Sequence, residues 1–142
     1  MKKIIYVAPI VLTMTLGAIA TVCAEEEPNL EVVKVVPIQS TGMVTVANND
    51  SKLMIDYDIR EQSVFIECFV NQFHFKKEKV GMLHQEGEGH IRLYINDEHV
   101  DTLYEPAFII NDLPSGEHEI KVVIVKNDRS PYDMEETILV TI

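Results

Sequence analysis

Beyond residue 30 the chain is built on a period of two. In Leu53, Ile55, Tyr57 and Ile59 the apolar positions are separated by mostly polar ones, among them Asp56 and Asp58. That alternation puts one face on a core and the other in water, which predicts a strand. Residues 31–36 form a β-branched run that stops at Pro37, and residues 43–47 form another, closed by Asn48-Asn49-Asp50. Residues 63–75 are the longest β-like run. Phe65, Phe69, Phe73 and Phe75 lie on one parity and Val64, Ile66, Cys68 and Val70 on the other, so both faces are expected to be covered. Residues 90–95, 100–104, 107–110, 117–125 and 135–142 complete the predicted strands.

No segment carries a 3.6-residue apolar period. Residues 76–83 make at most one helical turn, and Gly81 weakens even that. Short strands broken by turn residues predict an all-β fold. The expected form is a single antiparallel immunoglobulin-like or cupredoxin-like sandwich of about seven to nine strands over residues 31–142. Phe65, Phe69, Leu93, Ile120, Val122 and Leu139 are expected in its core.

The first 24 residues follow a different pattern. Lys2 and Lys3 precede an apolar run from Ile4 to Val22, which ends in Val22-Cys23-Ala24 before Glu25-Glu26-Glu27-Pro28. This is the layout of a cleaved secretory signal over residues 1–24, followed by a loose tail at residues 25–30. Two other fates attach the chain to a membrane. One is an uncleaved anchor. The other is lipidation at Cys23, although Ala20 and Val22 depart from the lipoprotein preference. The expected location is therefore secreted or elsewhere in the cell envelope.

Charge narrows the partners. The formal net charge is −11, and all 23 acidic residues lie beyond the signal while Lys2 and Lys3 lie within it. Such a chain repels nucleic acid. Cleavage leaves Cys68 as the one thiol, set among Phe65, Ile66, Phe69 and Val70, so it reads as a buried structural cysteine. No Gly-x-Ser-x-Gly, phosphate-cradling loop or dinucleotide fingerprint is present, and no enzyme is expected.

Three turn-rich corners carry the candidate chemistry. In Leu113-Pro114-Ser115-Gly116-Glu117-His118, proline presets a turn, glycine supplies positive φ, and a ring follows at the start of a strand. Immunoglobulin-like domains often tie such a corner down with a tyrosine, and His118 is expected to substitute for it. The other corners are Gly87-Glu88-Gly89-His90 and Asn127-Asp128-Arg129-Ser130-Pro131-Tyr132.

From about Asn71 to Thr141, half of the chain resembles a family of small extracytoplasmic bacterial immunoglobulin-like β-sandwich domains. The pattern of that family runs Asn-Phe-x-Phe, Gly-Glu-Gly-His-x-His-x-Tyr-x-Asp-Gly, a Leu-Tyr strand, Leu-Pro-x-Gly-x-His and Asn-Asp-His-x-x-Tyr. This chain keeps Phe73, Phe75, Gly87, Gly89, His90, Tyr94, Leu103, Tyr104, residues 113–118, Asn127, Asp128 and Tyr132. The family's members are largely uncharacterised, and its histidine pattern implies metal association, with copper as the candidate. The departures fall on that pattern: Arg92 and Arg129 stand where it has histidines, and Asn96 where it has aspartate. Arginine stays protonated and cannot ligate a metal.

Two readings follow. The first is an exported, non-enzymatic binding module that acts on another protein or an envelope component and has no cofactor. The second is weak copper or zinc handling through the residual histidines His84, His90 and His99. His90, Arg92, Asp128 and Arg129 are expected to gather at one end of the sandwich. That cluster would be either a salt-bridge network or a site in which the arginines take an anion or carboxylate. His84 lies in the loop before the glycine motif, and His99 is expected in a hairpin turn.

Overall fold

The computed structural model of the protein describes residues 30–39 and 53–142. The expected signal, most of the tail and the expected strand at residues 43–47 lie outside the described residues. A 3-10 turn at Leu30–Val32 leads into β1 (Lys34–Ile38), followed by β2 (Leu53–Arg60), β3 (Ser63–Val70) and β4 (His74–Phe75). After a second 3-10 turn at Lys77–Lys79 come β5 (Glu88–Ile95), β6 (Glu98–Leu103), β7 (Ala107–Asn111), β8 (Glu117–Lys126) and β9 (Pro131–Thr141).

The strands form two sheets. One has the order β1-β7-β3-β2. The other has the order β4-β5-β8-β9, with β6 also paired to β5. Every pairing is antiparallel except the short one between β4 and the start of β5. The order β2-β3-β7 facing β5-β8-β9 is the immunoglobulin order A-B-E over C-F-G. β1 occupies the edge beside β7 that strand D takes in that scheme, although it comes first in the chain.

The core lies between the sheets. Val64, Ile66 and Cys68 from β3 meet Ile91, Leu93 and Ile95 from β5, Phe108 and Ile110 from β7, and Ile120, Val122 and Ile124 from β8. Leu93, Ile120 and Val122 are in the core as expected. Burial pushes the Cys68 thiol up to about 12, with Glu67 adding to the shift, so it stays protonated and inert.

Several expectations are corrected. Pro37 does not end β1 but lies within it, and it is tolerated because among the described residues β1 is an edge strand paired only to β7. Residues 63–75 are not one strand. The chain turns at Asn71 and Gln72, with Gln72 at φ 53, and crosses to the other sheet as β4. The inward parity of β3 is therefore Val64, Ile66 and Cys68, while Phe65 and Phe69 are half-buried on its outer side. The Arg60 guanidinium lies 4.8 Å over the Phe65 ring, which caps this outward aromatic surface. Leu139 is 75% exposed, because β9 faces inward through Met134, Ile138 and Val140.

Candidate functional site

β5 has two working faces. Ile91, Leu93 and Ile95 point into the core, so His90, Arg92 and Tyr94 must stand on the outer face of the sheet. There they line a pocket of about 430 Å³ together with Val80, His99, Thr102, Tyr104 and Arg129. Val80 follows the second 3-10 turn, and Arg129 comes from the turn between β8 and β9.

His99 and Thr102 are three apart on β6, so a regular strand would send them to opposite faces. The β5–β6 register shifts between Leu93 and Tyr94, where Leu93 pairs with Asp101 but Tyr94 with His99. This bulge leaves Val100 without an opposite residue and turns both side chains to the pocket side. His99 Nε2 lies 3.3 Å from Thr102 Oγ1, and the His99 ring meets Tyr94 edge-on at 5.4 Å.

His90 is only 2% exposed although it stands on an outer face. The Tyr104 ring lies against it at 5.8 Å. Its Nδ1 is buried, with no hydrogen-bond partner among the described residues. Burial, then the charges of Arg92 and Arg129, hold the His90 pKa below 6.5. An acidifying solution therefore protonates His90 in the unfolded chain first. Its contribution to stability is complete above pH 6.5 and is lost as pH falls from there through the lowered folded value. In this window the unfolding free energy of the parent should fall with pH more steeply than that of His90→Leu, by at most about 1.4 kcal/mol per pH unit for one proton. Parallel pH dependences from urea melts would refute this. Among the described residues the charges that act on His90 are Arg92 and Arg129, and Lys77 Nζ lies 5.5 Å over the neighbouring Tyr104 ring.

The sequence-predicted residues separate into two places. His90, Arg92 and Arg129 line one pocket, on the outer face of the sheet and beside the β8–β9 turn. Asp128 does not join them. Its carboxylate accepts hydrogen bonds from Ser130 N at 3.0 Å and Ser130 Oγ at 2.6 Å, which lower its pKa and brace the turn. Among the described residues neither Arg92 nor Arg129 makes an ion pair with a carboxylate, so the expected salt-bridge network does not form there.

Of the three candidate metal ligands, His90 and His99 share the pocket and His84 lies elsewhere. His99 belongs to β6 rather than to a turn; the turn is Asn96-Asp97, both at positive φ. The His84 ring packs edge-on against Tyr132 at 5.4 Å, and its Nε2 lies 3.2 Å from Glu86 Oε2. Among the described residues no three His, Cys, Asp or Glu side chains are gathered to hold a metal ion.

His118 does what the corner requires. It is buried, and its Nε2–H donates to the carbonyl of Pro114 at 2.7 Å. Asn96 Oδ1 accepts from Glu119 N at 3.0 Å, which orients the amide so that Nδ2–H donates to His118 Nδ1 at 3.2 Å. Asn96 thus supplies a donor that an aspartate in its place would lack.

No family model matches the chain, and no curated protein matches it in sequence. Two solved structures are similar to it. One is the Clostridium perfringens spore cortex lytic enzyme SleM, at 14% identity and a TM-score of 0.46, over 65% of this chain and 28% of that one. The other is a structure of fibronectin(III)-like modules of Clostridium thermocellum CbhA, at 12% identity and a TM-score of 0.41, over 63% of this chain and 96% of that one. The chain therefore spans 28% of the length of the lytic enzyme it matches.

Sequence reasoning missed Val80, Thr102 and Tyr104 as lining residues. Val80 carries no chemical signal, and Thr102 reaches the pocket only through a bulge that alternation does not reveal. Among the described residues no helix is long and apolar enough to cross a membrane.

Proposed function

We infer that the protein is an exported, non-enzymatic β-sandwich module that binds a ligand or partner group in the outer-face pocket. One observation carries this reading. A pocket of about 430 Å³ holds a buried imidazole with an unpartnered nitrogen beside two guanidiniums that pair with no carboxylate among the described residues. Its size suits a small molecule or a protruding group of a larger one. Unpaired polar groups in a concave site cost stability and are retained where a ligand satisfies them.

Its lining offers imidazole, guanidinium, phenol and one threonine hydroxyl, a set suited to recognition. Export rests on the layout of residues 1–24, with Glu25 as the first residue of the released chain. The experiment has two arms. Mass spectrometry of the native protein should find Glu25 at its N-terminus, and a mass retaining residues 1–24 would contradict export. In nitrogen-15 spectra, small ligands should perturb resonances of His90, Arg92, Tyr94 and Thr102 before any others. Perturbations scattered over both sheets would contradict the binding role.

A further inference from the structure

We propose that the outer-face pocket takes an organic carboxylate, with Arg92 and Arg129 holding the charged end and the rings of Tyr94 and Tyr104 flanking its body. The proposal rests on the binding reading above and names the ligand's chemistry.

The pocket's charge is the first argument. The chain has 23 acidic residues and 12 basic ones, so an arginine on its surface finds a carboxylate easily. Asp97, Asp58, Glu78 and Glu86 do take partners, yet Arg92 and Arg129 have none among the described residues. Both line the same cavity as His90 and lie near enough to its imidazole to act on it. A guanidinium presents paired N–H donors in a plane and matches a carboxylate in a bidentate fork.

The second argument is His90 itself. It is nearly inaccessible and its Nδ1 has no partner among the described residues. His90 lines the cavity beside both arginines, so an anion that neutralises them would lie against its ring.

Size and charge choose among anions. A cavity of about 430 Å³ far exceeds an inorganic ion, so the charged group must carry a body. Tyr94 and Tyr104 offer ring surfaces for it and Val80 an apolar one. The strongly acidic remainder of the protein repels a dianion more than a monoanion, which favours carboxylate over phosphate.

Arg129 supplies a way to separate binding from folding. It sits in the left-handed region at φ 72, in the tight turn where Arg129 N donates to Lys126 O and Lys126 N to Ser130 O. Glycine suits that backbone better than arginine. Arg129→Gly should therefore melt no lower than the parent while losing affinity. The test titrates parent, Arg92→Gln and Arg129→Gly with benzoate, neutral benzamide and inorganic phosphate, followed by nitrogen-15 chemical shifts.

Benzoate should perturb the pocket residues at millimolar concentration, and each variant should bind about tenfold more weakly. Equal responses to benzoate and benzamide would overturn the anion assignment while leaving the pocket a binding site. Tighter binding of phosphate than benzoate would overturn the carboxylate assignment alone. No pocket response to any of the three, or undiminished benzoate binding by both variants, would overturn the proposal, and silence towards all three would count against the binding reading as well.

Discussion

Gly89→Ala should cost on the order of 4 kcal/mol, a large share of the stability of a domain this size. A Cβ on residue 89 would collide with the carbonyl oxygen of Val125 and sit 3.0 Å from Phe73 Cζ. The first obstacle is backbone of the neighbouring strand, so no rotamer change relieves it. β5 and β8 pair continuously from Gly89 to Ile95, and separating them at one end strains the whole ladder. On the other edge Gly89 O accepts from Lys76 N at 2.9 Å, which fixes the chain leading to the second 3-10 turn. The glycine next to His90 is thus required by close strand approach. Urea denaturation should show a much lower midpoint for the variant, and a loss below about 1 kcal/mol would refute the clash.

His118→Ala should cost about 2–4 kcal/mol. It removes a buried ring, leaves the Pro114 carbonyl without its donor, and leaves Asn96 Nδ2 without its acceptor. Because Asn96 also fixes the turn after β5, the end of the β5–β8 pairing at Ile95 and Ile120 should loosen. Thermal melts of His118→Ala and Asn96→Ala, singly and combined, should give a double variant less affected than the sum of the singles. Strict additivity would show that the two residues act independently.

The sequence was most legible where alternation was clean. Leu53 to Ile59 predicted β2, although Tyr57 and Ile59 on its expected core face are exposed, and Ile91, Leu93 and Ile95 predicted the buried face of β5, which in turn put His90, Arg92 and Tyr94 together outside. His118 was legible as a corner residue because Pro114 and Gly116 define the turn that it ties down. Elsewhere local pattern was overridden by packing. Phe65 and Phe69 are more apolar than a solvent-side position requires, so parity alone could not say that β3 faces inward through Val64, Ile66 and Cys68. Ile138-Leu139-Val140 is apolar on both parities, and the half-buried Glu136 breaks the inward series that would have exposed Leu139 as outward. Asp128 lay next to Arg129 in sequence, but its carboxylate was taken by Ser130, one residue further on.

The pocket was half readable. His90 and Arg92 follow from strand parity, and Arg129 joins them through the family resemblance, whose pattern has histidines at the positions of Arg92 and Arg129. The second wall depends on the bulge opposite Val100, which brings His99 and Thr102 to one side, and no residue type announces it. His84 was set beside His90 by its place before the glycine motif, whereas its ring is held by Tyr132, whose hydroxyl donates to Glu88 O at 3.0 Å.

The most direct measurement is the titration of the His90 imidazole by NMR, with and without benzoate. Burial, Arg92 and Arg129 hold its pKa below 6.5. A carboxylate bound between the arginines offsets their charge, so the His90 pKa should rise with benzoate and remain unchanged with benzamide. A His90 titration that is the same with benzoate as without it would contradict the site.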